Sequence, residues 1–230
     1  MRDLPRRTVT ALVYGGVVLA AVFTPPIVFT LVLAAAGVVA FTELVALRRA
    51  GRVVVVQGAI VVIGLLALWV LRGVTLPLSW PYTITIPHVL LMVLIATWAA
   101  DVFSYIGGSL FGRHKIAPRI SPGKTWEGTL VGFVAASIVF LVLNRALGSG
   151  YPGVFGSMYP IDVVVGIGIG PVAFAGDLLE SLTKRRAGVK DSGTFLPGHG
   201  GMLDRIDSLV ATAPFVLLPL LVPCCAPSLG

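Results

Sequence analysis

Long apolar stretches separated by short polar ones constrain this sequence more than any other feature. Crossing a bilayer takes roughly 20 predominantly apolar residues in one helix. Only an internally hydrogen-bonded segment is tolerated in hydrocarbon, so stretches of this kind predict helices. Seven stretches qualify, at about 8–23, 27–47, 53–71, 86–106, 126–144, 159–182 and 206–223. The sequence therefore predicts an all-α, polytopic transmembrane helical bundle.

Composition agrees with a membrane protein. Of the 230 residues, 57% are hydrophobic and 12% charged, and the mean hydropathy is +0.97. A soluble domain of this size could not bury that much apolar surface in one core. We interpret residues 8–23 as a retained first span, because Thr24-Pro25-Pro26 lacks the small residues of a signal-peptide cleavage site. The connecting loops are short, so residues 1–230 are expected to form a single membrane domain.

The basic residues indicate orientation. The net charge is +7, and Lys and Arg cluster between the apolar stretches. Membrane topology explains this pattern better than nucleic-acid binding, and we expect no nucleic-acid partner. If the N-terminus is cytoplasmic, all of the 17 Lys and Arg except Arg72 and Arg145 fall on the cytoplasmic side. Two long polar loops, 107–125 and 183–205, are then also cytoplasmic, and we expect the functional site there.

The densest polar stretch, residues 176–208, joins the sixth span to the seventh. Four of its side chains share one helix face because they are spaced i, i+3, i+4 and i+7: Asp177, Glu180, Ser181 and Lys184. Asp204 and Asp207 lie one turn apart at the start of the seventh span. Together Asp177 and Asp204 could hold Mg²⁺, which prefers oxygen ligands and is commonly completed by substrate phosphates. A structural interpretation also stays open, in which Asp177 pairs with Lys184 and Asp204 or Asp207 caps the last helix.

The loop between these two helices combines basic residues with glycines. Its basic members are Lys184, Arg185, Arg186 and Lys190. A Pro-Gly-His-Gly-Gly segment, residues 197–201, follows them and contains His199. Basic side chains bind phosphate oxygens, and glycines let backbone N–H groups approach an anion closely. Anchoring to anionic lipid is the alternative for the basic run, but it does not account for the segment that follows.

A second polar constellation surrounds the loop before the fifth span. Asp101 lies near the inner end of the fourth span, and residues 107–115 read GGSLFGRHK. Residues 120–128 read ISPGKTWEG and supply hydroxyl, ammonium and carboxylate groups where a helix N-terminus favours anions. These groups belong to Ser121, Lys124, Thr125 and Glu127. Thr125 and Glu127 could instead cap the helix. GSLFGRHK lacks the G-K-[ST] ending of a P-loop, so we reject that interpretation.

Three segments in the same order resemble motifs of the phosphatidate cytidylyltransferase (CDP-diacylglycerol synthase) family. Residues 101–108 resemble D-x-x-x-Y-x-x-G, and residues 120–128 resemble I-S-P-K-K-T-W-E-G. Residues 181–207 contain SLTKR, KDSG, PGHGG and DRID in the family's order. Thr183 and Gly123 depart from the family pattern, at positions that are usually aliphatic and basic. The resemblance makes residues 101–208 the catalytic portion and residues 1–100 the N-terminal spans.

The resemblance implies that CTP and phosphatidate give CDP-diacylglycerol and pyrophosphate in a Mg²⁺-dependent reaction. The resemblance also implies a homodimer and allows an additional monovalent cation such as K⁺. The distribution of Lys and Arg predicts that the site faces the cytoplasm, and the compact length favours a bacterial inner membrane. The implied metal ligands are Asp177 and Asp204. The implied catalytic residues are Asp177, Asp204, Lys184, Arg185, Lys190, Asp191 and His199. The implied substrate-binding residues are Asp101, Ser121, Lys124, Ser181, Gly200, Gly201, Arg205 and Asp207.

Two other functions fit part of the pattern. A CTP-dependent enzyme acting on another lipid, such as an archaeol phosphate cytidylyltransferase or a polyprenol or phytol kinase, would need a similar head-group site. A small cation transporter could use Asp101, Asp177 and Glu180 as a path. Such a path predicts polar residues that thread several spans to both faces. The outer halves of these spans are almost wholly apolar, which disfavours the transporter.

Overall fold

The fold is described from a computed structural model, which covers residues 4–73, 86–147, 160–195 and 200–221. This part of the chain forms a helical bundle with one small β-hairpin, so the predicted all-α membrane bundle is confirmed apart from the hairpin. The helices are α1 (Leu4–Phe23), α2 (Pro26–Ala46), α3 (Arg52–Gly73), α4 (Ile86–Phe111), α5 (Trp126–Leu147), α6 (Pro160–Ala187) and α7 (Leu203–Leu221). The strands are β1 (Lys115–Ala117) and β2 (Ser121–Thr125).

Five of the described helices, α2 to α6, are long and apolar enough to cross a membrane. The apolar part of α1, Val13–Phe23, is shorter. Helix α7 has the length, but its first turns carry Asp204, Arg205 and Asp207. The structure therefore supports an integral membrane protein, while the number of seven spans and the cytoplasmic N-terminus stay predictions.

Helices α4 and α5 pack closely because glycines remove side chains from their interface. A Cβ atom on Gly128 would lie 2.6 Å from the Gly108 Cα atom, and one on Gly107 would lie 2.7 Å from Val131 Cβ. Gly107 and Gly108 belong to α4. The prediction that residues 107–111 begin a loop is therefore wrong, because the two glycines serve helix packing.

The hairpin was not predicted. Strands β1 and β2 pair antiparallel, with Lys115 opposite Thr125 and Ala117 opposite Ser121. The Ile120 N–H donates to the Ala117 carbonyl and closes the turn (3.0 Å). Both strands are short, and β2 contains proline and glycine, so the sequence carries little β signal here. The hairpin is what fixes the segment from Ser121 to Thr125 beside the helices.

The connection between α6 and α7 is shorter than the predicted loop 183–205. Helix α6 continues to Ala187 and ends at Gly188, whose φ of 78° lies in the left-handed region that glycine adopts easily. The Val189 N–H donates to the Lys184 carbonyl and completes this helix end (3.0 Å). Lys184 is therefore held on the last turns of a helix, where it faces the start of α7.

Candidate active site

A cavity of about 560 Å³ lies between α4, α5, α6 and α7, beside the hairpin. Side chains from both polar constellations of the sequence line it. The predicted site residues in its lining are Asp101, Lys124, Asp177, Lys184, Asp191, Asp204, Arg205 and Asp207. The structure thus brings together the two polar segments that the family resemblance assigned to one site.

The other predicted site residues lie beside this lining or outside the described part of the chain. Among the described residues, Ser121, Ser181, Arg185, Lys190, Gly200 and Gly201 do not line the cavity. The Arg185 Nε–H donates to the Ile120 carbonyl (3.1 Å) and its Nη1 donates to the Val189 carbonyl (3.1 Å). In this structure Arg185 therefore fastens the hairpin to the end of α6. His199 lies outside the described residues.

Three carboxylates form the tightest acidic cluster of the described residues. Ligand oxygens of Asp177, Glu180 and Asp207 all lie within 4.8 Å of one another. Glu180 is fully buried and Asp207 is 9% exposed. An oxygen-only donor set of this kind suits a hard divalent cation such as Mg²⁺. Asp177 belongs to the predicted metal pair, whereas Asp204 lies next to this cluster rather than within it.

Two lysines connect the carboxylates of the cavity. Lys124 Nζ lies 2.6 Å from Asp177 Oδ2 and 4.5 Å from the centre of the Phe174 ring. Lys184 Nζ lies 2.5 Å from both Glu180 Oε2 and Asp204 Oδ1. The alternative pairing of Asp177 with Lys184 is therefore wrong, because Asp177 pairs with Lys124 and Lys184 pairs with Glu180 and Asp204. Lys184 links the acidic cluster to Asp204.

Asp204 organises the connection that precedes α7. Its Oδ2 accepts hydrogen bonds from the Ser192 N–H (3.1 Å), the Ser192 hydroxyl (3.0 Å) and the Gly201 N–H (2.7 Å). Burial opposes ionisation, but hydrogen bonding with Glu180, Lys184 and the Gly201 N–H outweighs it and lowers the pKa of Asp204 to about 2. The prediction that Asp204 caps α7 is therefore wrong, because the N–H groups that it accepts belong to Ser192 and Gly201, which precede that helix. A Cβ on Gly200, whose φ is 83°, would lie 2.5 Å from Asp204 Oδ2.

At the start of α5 the capping interpretation is confirmed for Thr125, whereas Glu127 bonds to residues that precede the hairpin. The Thr125 hydroxyl accepts a hydrogen bond from the Gly128 N–H (3.3 Å). Glu127 Oε2 accepts from the Arg113 N–H (3.1 Å), and its Oε1 lies 2.5 Å from His114 Nδ1. Thr125 therefore caps α5, and Glu127 fastens the residues just before β1 to the first turn of that helix.

Glu43 is a residue of this region that the sequence analysis missed. It lies on α2, is 6% exposed, and accepts hydrogen bonds from the Met202 N–H (2.8 Å), the Leu203 N–H (2.8 Å) and the Ser192 hydroxyl (2.9 Å). A carboxylate inside the apolar stretch 27–47 was the available signal, because ionisable groups within membrane helices usually have a function.

The cavity lining is acidic on balance and changes from polar to apolar along α6. Five carboxyl groups and three basic groups contribute to it. Further along α6 the lining consists of Phe174, Ala173 and Gly170, which Phe133 of α5 faces. The cavity can therefore accept a molecule with a charged end and an apolar end.

The sequence is similar to a protein-family profile and to several known proteins. The sequence profile of the cytidylyltransferase family matches residues 59–222. A phosphatidate cytidylyltransferase of Haemophilus influenzae is 42% identical over 129 residues, which cover 55% of this chain and 43% of that protein. Similar proteins of the same name occur in Pseudomonas aeruginosa (39% over 150 residues; 65% and 52% covered) and Thermotoga maritima (44% over 128 residues; 54% and 46% covered). The chain spans about half the length of these curated relatives.

Proposed function

Because the chain belongs to the cytidylyltransferase family, we propose that it transfers the cytidylyl group of CTP to phosphatidate. The products are CDP-diacylglycerol and pyrophosphate. The observation that carries this proposal is the cavity between α4, α5, α6 and α7. Clustered carboxylates and basic side chains lie at one end of it, and apolar side chains lie at the other. The names of the relatives support the choice of substrates.

The shape of the cavity suits a lipid phosphate. The phosphate and the nucleotide would lie at the polar end, near Lys124, Lys184 and Arg205. The glycerol backbone and the start of the acyl chains would lie toward Phe133 and Gly170. In the reaction, an oxygen of the lipid phosphate attacks the α-phosphorus of CTP, and the bond to the oxygen that bridges to the β-phosphorus breaks. Pyrophosphate leaves with that oxygen.

The protein mainly has to position these reactants and offset their charge. A strong general base is not required, because a phosphate monoester is already ionised at neutral pH. Lys124 and Lys184 each contact carboxylates of the site. We infer that both ammonium groups also contact phosphate oxygens when the substrates bind, since the transferred and leaving groups carry most of the negative charge.

We propose that the acidic cluster holds Mg²⁺. Asp177 is common to the pair implied by the family resemblance and to the geometric cluster with Glu180 and Asp207. Asp204 is the other ligand implied by the resemblance, and Lys184 joins it to this cluster. Bound Mg²⁺ supplies charge stabilisation for the triphosphate and for departing pyrophosphate. An additional monovalent cation such as K⁺ belongs to the same proposal.

We further propose that the protein is a homodimer in a bacterial inner membrane, with the cavity open to the cytoplasm. Bacterial relatives support the membrane assignment. The distribution of Lys and Arg supports the orientation.

A substrate comparison tests the proposed function. Purified protein in detergent receives CTP and Mg²⁺ with phosphatidate, archaeol phosphate or a polyprenol, and pyrophosphate and CDP are both quantified. We expect pyrophosphate release that depends on phosphatidate. Release of CDP with a polyprenol would instead identify the protein as a kinase. A preference for archaeol phosphate would identify that lipid, rather than phosphatidate, as the substrate.

A further inference from the structure

We propose that Glu43 is a positioning residue of the active site. Its carboxylate, on α2, holds the connection between α6 and α7 at Ser192 and also holds the start of α7, and through these contacts it fixes Asp204 and Lys184 at the cavity. Glu43 lies outside residues 59–222, which match the family profile, so the match assigns it no role. This inference rests on the proposed function for its kinetic consequence.

Three donors converge on this one side chain. Glu43 Oε1 accepts from the Met202 N–H, and Oε2 accepts from both the Leu203 N–H and the Ser192 hydroxyl, at 2.8 to 2.9 Å. Unpaired N–H groups at the start of a helix favour a negative charge. The side chain of Glu43 therefore accepts both N–H groups at the start of α7 and acts as a cap that comes from another helix, α2.

The site requires an acceptor at both oxygen positions. Two of the three partners are backbone N–H groups, which can only donate. A glutamine would place its NH₂ group against one of them and leave that N–H without an acceptor. An aspartate would be shorter by one methylene group and would not reach both N–H groups. The Glu43 carboxylate also fits closely between two glycines. A Cβ on Gly201 would lie 2.5 Å from Glu43 Oε2, and one on Gly193 would lie 2.6 Å from Oε1.

Ser192 links Glu43 to the cavity. Its hydroxyl lies 2.9 Å from Glu43 Oε2 and 3.0 Å from Asp204 Oδ2. Asp204 in turn contacts Lys184, which contacts Glu180 of the acidic cluster. A continuous polar network thus runs from α2 to the proposed cation site. Loss of the Glu43 acceptors therefore releases the start of α7, and Asp204 and Lys184 lose their fixed positions.

The test compares Glu43→Gln with Thr42→Val. Thr42 immediately precedes Glu43 on α2 and is exposed. Among the contacts described for it, its hydroxyl donates only to the Val39 carbonyl of the same helix. We expect Glu43→Gln to lower kcat at least about tenfold with KM for CTP changed less than threefold, because a displacement of about 1 Å in reacting groups can cost about a hundredfold. Thr42→Val should stay within twofold of wild type in both.

A second readout does not depend on activity. Lys190 is exposed in the connection that Glu43 holds, so trypsin cleavage after Lys190 reports its release. We expect cleavage to be at least fivefold faster in Glu43→Gln and unchanged in Thr42→Val. Wild-type cleavage rates in Glu43→Gln would overturn the inference, even if the wild-type protein proves inactive and the proposed function fails.

Ser192→Ala keeps the test decisive if Glu43→Gln does not fold. It removes the link between Glu43 and Asp204 but leaves both backbone N–H bonds of Glu43. We expect Ser192→Ala by itself to lower kcat more than twofold. Where Glu43→Gln folds, the loss in Ser192→Ala should be the smaller one, and the double variant should lose no more than Glu43→Gln alone, because both act through one network. Multiplicative losses, or kcat within twofold of wild type in Ser192→Ala, would contradict the role.

Discussion

Lys124 Nζ lies 2.6 Å from Asp177 Oδ2, so the hairpin before α5 is joined to the middle of the site on α6. The ammonium group also lies over the Phe174 ring. Lys124 is 18% exposed in its side chain, which limits the competing effect of water. This pair shows how residues 120–128 (ISPGKTWEG) and residues 176–181 (GDLLES) contribute to one cavity.

Replacing this ammonium group should reduce activity strongly. We expect Lys124→Met to lower kcat/KM for CTP by about tenfold to a hundredfold, because it removes a charge that contacts Asp177 and, by our proposal, the substrate phosphates. Steady-state rates at varied CTP provide the measurement. Lys115→Met is the matched control, because Lys115 is an exposed lysine on the other strand of the hairpin. Equal losses in the two variants would contradict a specific role for Lys124.

The acidic cluster should set the Mg²⁺ requirement. We expect Asp207→Asn to raise the Mg²⁺ concentration for half-maximal activity at least tenfold, because it removes one of three clustered carboxylates. A Mg²⁺ titration at saturating CTP and phosphatidate measures this. Glu127→Gln is the control, because Glu127 contacts His114 and lies outside the cavity lining. An unchanged Mg²⁺ dependence in Asp207→Asn would remove this residue from the proposed metal site.

The glycine contact between α4 and α5 should matter for stability. We expect Gly128→Ala to destabilise the protein by roughly 1–3 kcal/mol, because the new Cβ would lie 2.6 Å from the backbone of Gly108. Thermal unfolding in detergent measures the effect. Gly16→Ala on α1 is the control, since a Cβ there has no heavy atom within 4 Å among the described residues. A Gly128→Ala protein as stable as wild type would show that the helices separate at little cost.

The helices could be predicted from the sequence because they depend on local hydropathy. A run of apolar residues in a bilayer has to satisfy its backbone internally, whatever its neighbours are. The convergence of residues 101–128 with residues 176–208 was also predictable, through the order of their motifs. Sequence alone did not pair Lys124 with Asp177, since that contact depends on the hairpin, whose Pro122 and Gly123 are typical of loops.

Long-range contacts also explain what was missed at Glu43 and in α4. Glu43 is separated from its partners by more than 140 residues, and its own surroundings in sequence are apolar. Gly107 and Gly108 were placed in the predicted polar loop 107–125, yet they serve a helix interface that only the position of α5 reveals. The end of α6 was also predicted too early in the chain, at about residue 182, whereas the helix continues to Ala187.

Transfer of the α-phosphorus of CTP to lipid tests the central claim most directly. Purified wild-type protein and Asp177→Asn are incubated with phosphatidate, Mg²⁺ and CTP labelled at the α-phosphorus, and label is measured in the lipid fraction beside released pyrophosphate. We expect wild type to form labelled liponucleotide and pyrophosphate in equal amounts, only with Mg²⁺, and Asp177→Asn to lose at least about a hundredfold in rate. Full Mg²⁺-dependent turnover in a folded Asp177→Asn protein, or no lipid label with wild type, would contradict the account.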